Sequence, residues 1–339
     1  MVERLIYESI PNTVLGNAGL LLVIVLSFVV LIKGADWLVE GAVEIAHRLG
    51  LPKIIIGATI VSLGTTSPEA AVSVMAALQG EPGLAIGNGV GSIICDLALI
   101  LGLSMALSRI PMVKELLSKQ AWVVFAAVVV LVGFAWTSPD QTIDRWMGFV
   151  MVGGLVVYLY ISYRWARQMK GVYAEAAYAG VEEVAQKPPP PIWQSLLWLI
   201  LGLGLLLGAS HALIPSVTLA AKRVGVPEAV IAATLVALGT SLPELMTAIS
   251  SIRKGCPEIT LGNVMGADAL NVLFVIGVSA SAVPLRVEPV FYRIQAPVML
   301  GLLVMFRLFI WTTTDHFRRW QGVLLLIGYM LFVGLQYIF

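Results

Sequence analysis

Two glutamates lie within long apolar segments of the chain, each at the end of the same short motif. Glu69 ends the sequence Gly-Thr-Thr-Ser-Pro-Glu in the first half of the chain, and Glu244 ends the sequence Gly-Thr-Ser-Leu-Pro-Glu in the second. A carboxylate at membrane depth is costly, so such a residue is a candidate functional group. Carboxylates, hydroxyls and backbone carbonyls together form the oxygen-rich shell that hard cations such as Ca²⁺ prefer. We therefore expect Glu69 and Glu244 to form a divalent cation site together.

Each motif also contains residues that interrupt a helix. Pro68 and Pro243 lack a backbone N–H and disrupt the preceding helical turn, and Gly64 and Gly239 add backbone freedom. The freed carbonyl groups need a partner, because irregular backbone at membrane depth is tolerated only inside protein or along a cavity. A single copy could be a simple kink. Two copies with the same spacing favour a cation site formed by broken helices near the middle of the membrane.

Further polar residues follow each motif at equivalent positions. Asp96 follows the first glutamate at the same spacing as Asn271 follows the second, so a carboxylate and an amide correspond. We expect both to line the site. Asp268 precedes Asn271 by about one helical turn and lies on roughly the same helix face, whereas its counterpart in the first copy is the apolar Ile93. A direct ligand role and an indirect packing role both stay open for Asp268, and the indirect role is favoured.

The composition indicates an integral membrane protein. The 339 residues are 59% hydrophobic and only 12% charged, against about 25% charged residues in soluble domains. The net charge of +1 gives no reason to expect nucleic acid as a partner. The two cysteines provide neither a disulfide framework nor a metal-binding spacing. The expected environment is a lipid bilayer, and no cofactor or obligate protein partner is inferred.

Apolar segments of the length that crosses a bilayer recur along the whole chain. All are predicted to be helices, because a membrane barrel would require short segments of alternating polarity. The fold class is therefore an all-α membrane protein with ten transmembrane helices. The predicted spans are 15–47, 53–78, 84–108, 120–138, 146–168, 193–221, 228–252, 258–282, 291–312 and 320–338.

The spans divide into two halves of five, residues 1–168 and 192–339, joined by the polar linker 169–191. Because five is odd, the second half must enter the membrane in the opposite orientation, as in many transporters built from inverted repeats. Most lysines and arginines fall in the loops on one side. By the positive-inside rule that side is cytoplasmic, which places the linker inside the cell and both termini outside.

The duplicated motifs resemble the two alpha-repeats of the Ca²⁺/cation antiporter superfamily, and most closely those of prokaryotic sodium/calcium exchangers. The resemblance includes Gly-Thr-[Thr/Ser]-x-Pro-Glu, Gly-Asn-x-x-Gly-[Ser/Ala] and the segment Gly-Ala-Asp-Trp-Leu-Val-Glu-Gly-Ala that starts at Gly34. It implies an inner (plasma) membrane antiporter, not an enzyme, which exchanges Ca²⁺ for Na⁺ at four cation sites between the repeats. The first and sixth helices would slide to alternate access. The implied ligands are Ser62, Thr65, Thr66, Glu69, Ser92 and Asp96 in the first repeat and Ala237, Thr240, Ser241, Glu244 and Asn271 in the second.

The chain departs from the family pattern where Gly-Ser-Asn is usual. It has Gly-Ser-Ile at 91–93 and Gly-Ala-Asp at 266–268, so Ala267 lacks the hydroxyl that Ser92 provides. The coupling ion therefore stays open, with H⁺-coupled and K⁺-dependent exchange as alternatives to Na⁺. A cation channel is disfavoured, because channels usually build rings of identical ligands from symmetric subunits. No phosphate-binding loop or hydrolase motif supports an ATP-driven pump or an enzyme.

Overall fold

The computed structural model describes residue 10 and residues 13–138, 140–179, 191–224 and 237–338, and within them the chain is almost entirely helical. Two strands of two residues each interrupt the helices. The elements in chain order are α1 Val14–Leu49, α2 Lys53–Thr65, α3 Ser67–Leu78, α4 Pro82–Leu107, α5 Lys114–Thr137, β1 Thr142–Ile143, α6 Arg145–Ala179, α7 Ile192–Arg223, α8 Ala237–Thr240, α9 Leu242–Arg253, α10 Pro257–Ala282, β2 Leu285–Arg286, α11 Phe291–Thr312 and α12 Arg319–Ile338.

Eight of these helices are long and apolar enough to cross a membrane, and the bent pair α2–α3 raises the number to nine. The prediction of an all-α membrane protein is confirmed. The tenth predicted span, 228–252, is described only in part, as α8 and α9, because residues 225–236 lie outside the described residues. The count of ten therefore stays a prediction.

The predicted linker 169–191 begins inside a helix. Helix α6 continues to Ala179, well beyond the predicted end of its span at residue 168, while residues 180–190 lie outside the described part of the chain. The segment after Lys170 is rich in alanine and glutamate, which are strong helix formers. Its polarity ends the apolar span but does not end the helix.

The apolar interior of the described residues consists of a large cluster, a smaller one and a minor one of Val39, Cys256 and Ile259. The large cluster joins α4, α5, α6, α10, α11 and α12, and the smaller one joins α1 and α7 through residues such as Leu31, Leu38 and Leu206. Helices α1 and α7 approach backbone to backbone, since a side chain at Gly34 would place its Cβ 2.8 Å from the Leu206 nitrogen. The two helices therefore form a tight pair beside the main bundle.

Loops at opposite ends of α5 pair in a similar way. Before α5, Pro111 bridges to His316, and Met112 donates a backbone hydrogen bond to Asp315. After α5, Thr142 pairs with Arg286 in the antiparallel β1–β2 ladder. Pro111 and Arg286 are separated in the sequence by the same interval as the two glutamate motifs. Sequence-equivalent loops thus make related contacts at opposite ends of the bundle.

Candidate cation site

Both motifs form a helix break, as their sequences predict. Thr66 separates α2 from α3, which are bent by 42° relative to each other, and Ser241 separates α8 from α9. The two residues are sequence equivalents and share one backbone conformation, with φ/ψ of −81°/−3° at Thr66 and −86°/9° at Ser241. This region of backbone space is sparsely occupied and is frequent at functional sites. Each break therefore has the same local geometry in both repeats.

The two glutamates occupy the first turn of the helix that follows each break. Glu69 lies at the start of α3 and Glu244 at the start of α9, and each is only 1% exposed. The partial positive charge at a helix N-terminus favours a carboxylate there. The fold thus places both carboxylates inside the protein, each at the N-terminal end of a helix.

Hydrogen bonds across the repeats bring the two breaks together. The Thr66 hydroxyl donates to Glu244 Oε1 at 3.4 Å. The Thr65 hydroxyl donates to Asn263 Oδ1 at 3.3 Å, and the Thr240 hydroxyl donates to Asn88 Oδ1 at the same distance. The break in each repeat is therefore held by a residue of the other repeat.

Asn88 and Asn263 were not predicted to belong to the site. They are sequence equivalents, and both are buried within apolar helices. A buried amide needs hydrogen-bond partners, so the pair of intramembrane asparagines at equivalent positions is the sequence feature that could have predicted their role. This feature predicts polar contacts, but it does not identify the threonines of the other repeat as the partners.

Close packing of α2 against α10 places Ser62 at the second repeat. A side chain at Gly266 would put its Cβ 2.5 Å from both the Ala58 carbonyl oxygen and Ser62 Oγ. Only glycine permits this approach without a shift of the helices. Ser62 itself is completely buried and donates to the Thr59 carbonyl at 3.2 Å.

Asp96 and Asn271 lie at wide helical turns of the π type. One such segment spans Cys95–Ile100 within α4, and the other spans Asn271–Ile276 within α10. Segments of this type are rare and are frequently found at functional sites. Both residues are 1% exposed, as expected for residues that line an internal site. The π segments themselves were not predicted from the sequence.

Many buried oxygen atoms in this region have no hydrogen-bond partner among the described residues. Four acids contribute, and the charge of Asp96 lies close enough to interact with those of Glu69, Glu244 and Asp268. A buried polar atom without a partner is costly, so these atoms are available as cation ligands. They are both carboxylate oxygens of Glu69, Asp96 and Asp268, together with Glu244 Oε2, Ser92 Oγ, Ser241 Oγ and Asn271 Oδ1.

No Lys, Arg or His is found among the buried side chains of the described residues, so any positive charge that balances these acids when they are ionised has to come from outside the protein. Within the same residues no three His, Cys, Asp or Glu side chains form a group that could hold a metal ion. Hydroxyl, amide and backbone oxygens must therefore complete any cation shell.

The predicted site residues are largely brought together. Hydrogen bonds between the repeats involve Thr65, Thr66, Thr240 and Glu244 at the two breaks, and Glu69 interacts electrostatically with Glu244. Ala237 begins α8, but its side chain lies outside the described part of the structure. Asp268 is close enough to Asp96 and Tyr158 to interact with them electrostatically.

Comparison with known proteins identifies the family. A family model described as sodium/calcium exchanger protein matches residues 19–164 and 194–338. The chain belongs to the sodium/calcium exchanger family. Among relatives of this exchanger, the putative antiporter CaxA of Alkalimonas amylolytica is 34% identical over 93% of this chain and 97% of its own length. The sodium/calcium exchanger MaX1 of Methanosarcina acetivorans is 30% identical over 92% of this chain and 97% of its own.

The fold of the exchanger is also that of a solved relative. The sodium-calcium exchanger NCX_Mj, soaked with 10 mM Na⁺ and 10 mM Sr²⁺, aligns with a TM-score of 0.78 and 28% identity over 93% of this chain and 97% of that chain. The regions matched by the family model include both motifs and all the described site residues.

Proposed function

We propose that this exchanger moves Ca²⁺ against Na⁺ across the membrane by alternating access. The observation that carries the proposal is the pair of buried glutamates, Glu69 and Glu244, each in the first helical turn after an equivalent break. The printed name of the relative MaX1, a sodium/calcium exchanger, supports the same pair of ions. Ca²⁺ and Na⁺ are transported substrates here, and no resident cofactor is required.

The proposed ligand set follows from the unpartnered oxygens and the contacts between repeats. Glu69 and Glu244 form the centre, with Asp96 and Asn271 beside them. Asp268 interacts electrostatically with Asp96 and makes no hydrogen bond to the breaks among the described residues, so we assign it an indirect part in this set. Hydroxyl and backbone oxygens complete the shell from Ser62, Thr65, Thr66 and Ser92 in the first repeat and from Ala237, Thr240 and Ser241 in the second.

Competition for the glutamates would couple the two ions. Two carboxylates are balanced either by one Ca²⁺ or by more than one Na⁺, and both ions prefer oxygen ligands. Because both ions need the same carboxylates, binding of one displaces the other. Alternating exposure of the site to the two sides then makes inward Na⁺ movement drive Ca²⁺ export.

The proposed architecture is two inverted halves, residues 1–168 and 192–339. Its support is the similar pairing of equivalent loops at opposite ends of α5 and the common backbone geometry of the two breaks. The lysine and arginine distribution places the segment 169–191 in the cytoplasm and both termini outside. A cysteine introduced at Ala179 should resist an impermeant thiol reagent in intact cells and react after permeabilisation. Labelling in intact cells would show that the protein has the opposite orientation.

Transport in proteoliposomes tests the function. Vesicles loaded with Na⁺ and diluted into Na⁺-free medium should accumulate ⁴⁵Ca²⁺, whereas a K⁺ gradient or a pH gradient alone should not drive uptake. The charge-matched control variant is Glu81→Gln, since Glu81 is exposed at the start of α4. Uptake driven equally well by a pH gradient, with Na⁺ absent, would replace the proposal with proton coupling. Uptake that requires K⁺ together with Na⁺ would indicate the K⁺-dependent form.

A further inference from the structure

Helix α9 carries a line of buried hydroxyl groups from its glutamate toward its C-terminal end. Thr247 follows Glu244 by three residues, and Ser250 and Ser251 follow Thr247 by three and four, which places them on one side of the helix. Thr247 and Ser251 are completely buried, and Ser250 is 2% exposed. The Thr247 hydroxyl has no hydrogen-bond partner among the described residues. These three residues, called here the hydroxyl line, connect the glutamate with the end of α9.

Two acids of α1 contact the C-terminal part of α9. The Ser250 hydroxyl donates to Asp36 Oδ1 at 2.6 Å, and Arg253 Nη1 lies 4.0 Å from the same oxygen. About one turn further along α1, Glu40 Oε2 accepts a hydrogen bond from Lys254 Nζ at 3.1 Å. Since α1 and α7 form a tight pair, these contacts attach the whole pair to the helix that carries the second glutamate.

The equivalent surface of the first repeat has neither the hydroxyl line nor the acids. The apolar residues Val72, Met75 and Ala76 of α3 correspond to the three hydroxyl residues, and His211 and Pro215 of α7 correspond to the two acids of α1. Met75 is 53% exposed, whereas its equivalent in α9 is covered. The described structure therefore covers the end of α9 with polar contacts and leaves the equivalent part of α3 exposed.

This difference fits a carrier that opens equivalent surfaces in turn on its two sides. Contacts that exist at only one of two equivalent surfaces stabilise the conformation in which that surface is closed. The next acid of α1 has another task, since Glu44 Oε2 accepts from the Ser195 hydroxyl of α7 at 2.7 Å. Glu44 thus holds the α1–α7 pair together, while the two preceding acids hold the pair to α9.

We propose that Asp36 and Glu40 are positioning residues, which hold the α1–α7 pair against α9 and close the approach to Glu244 along the hydroxyl line. The side chains of Asp36 and Glu40 are 20% and 50% exposed, and partly exposed ion pairs are weak enough to break and re-form in each cycle. The two acids set how often this approach opens and do not bind the transported ion. This inference rests on the alternating access proposed above.

Thiol labelling of the purified full-length protein in detergent tests this role. In a variant without the two native cysteines, Thr247→Cys places a thiol within the hydroxyl line, where a polar thiol reagent reacts when the approach opens. Asp36→Asn and Glu40→Gln should each raise the labelling rate by at least about threefold, because each weakens a charged contact between α1 and α9. Glu44→Gln is the matched control, and it should leave the labelling rate unchanged.

An exchange of charges provides a readout that a general loss of packing would not give. Glu40→Lys combined with Lys254→Glu should return the labelling rate to near that of Thr247→Cys alone. Labelling in Glu40→Gln no faster than in Glu44→Gln, or no recovery in the exchanged variant, would overturn the positioning role. Thermal melting shows whether each variant is folded, and Asp36→Asn decides the matter if the Glu40 variants are not.

The outcomes separate this role from the proposed function. The labelling rate is measured without a transported ion, so a negative result overturns the positioning role alone. Absence of Na⁺-driven ⁴⁵Ca²⁺ uptake by the wild-type protein would instead overturn the proposed function, whatever the labelling rates are.

Discussion

Both repeats contain a helix break, but they differ in whether the backbone carbonyl at the break receives a hydrogen bond from a side chain of the same repeat. In the first repeat, the Ser67 hydroxyl donates to the Gly64 carbonyl at 2.6 Å, which replaces the hydrogen bond that Pro68 cannot make. In the second repeat the corresponding residues are Gly239, Leu242 and Pro243. Leu242 has no hydroxyl, so the Gly239 carbonyl lacks this donor. The second break therefore has greater need of an external partner.

The amides that follow the breaks show the same difference. Asn88 Nδ2 donates to the Glu69 carbonyl at 3.2 Å and to Ser73 Oγ at 3.0 Å. The equivalent Asn263 Nδ2 has no partner among the described residues, and alanine occupies the position that corresponds to Ser73. In the first repeat, the break and the amide that follows it are thus well bonded. The break and the amide of the second repeat have fewer partners, although each repeat contributes two buried acids, Glu69 and Asp96 in the first and Glu244 and Asp268 in the second.

The largest expected effect tests whether the centre is symmetric. Glu69→Gln and Glu244→Gln should each reduce Ca²⁺ exchange by at least about 100-fold, because each removes a carboxylate that a divalent ion needs while keeping the side-chain shape. ⁴⁵Ca²⁺ uptake into proteoliposomes measures the loss, with Glu81→Gln as the control. Near-wild-type flux in either glutamine variant would show that the two repeats do not contribute equally.

An exchange of residues between the repeats tests whether positions 96 and 271 are equivalent. Asp96→Asn alone should weaken Ca²⁺ exchange about tenfold, since the two glutamates remain. The double variant Asp96→Asn with Asn271→Asp should recover part of this loss if the positions are equivalent. The same uptake measurement decides the matter, and a double variant weaker than the single one would show that the acid is needed in the first repeat.

The smallest expected effect concerns stability rather than transport. Ser73→Ala removes an acceptor from Asn88 Nδ2 and should destabilise the protein by about 1 kcal/mol. Ser279→Ala, which loses only a hydrogen bond to the Val275 carbonyl within its own helix, provides the comparison. Thermal melting in detergent measures both. A melting temperature for Ser73→Ala equal to that of Ser279→Ala would show that the hydrogen bond between Asn88 and Ser73 contributes little to the stability of the protein.

The sequence predicts the centre of the site because its signals are local. Proline and glycine in the motif identify the breaks, and glutamate within an apolar segment identifies the ligand. The contacts of Asn88 and Asn263 could not be predicted in this way, since their partners lie in the other repeat. The wide turns at Asp96 and Asn271 were also missed, because the apolar pattern of a helix does not report a change in its hydrogen-bond ladder.

The end of α6 shows a different limit. A change from apolar to polar residues marks where a helix leaves the membrane, and the segment after residue 168 was therefore predicted to be a linker. The helix continues to Ala179, because its hydrogen bonds are formed within the helix itself and residues of high helix propensity can sustain them beyond the apolar span. Hydropathy predicts the extent of a membrane span, whereas residue propensity predicts the extent of the helix.

The lack of buried cationic side chains in the described interior bears on how tightly the energy of the Na⁺ gradient is conserved. If the protein reoriented without bound ions, each of its four buried acids that stayed ionised would be uncompensated, at a cost of several kcal/mol. Each increment of about 1.4 kcal/mol added to the barrier slows that step about tenfold. The acids that attract the ions thereby also oppose the return of the empty carrier for as long as they are ionised.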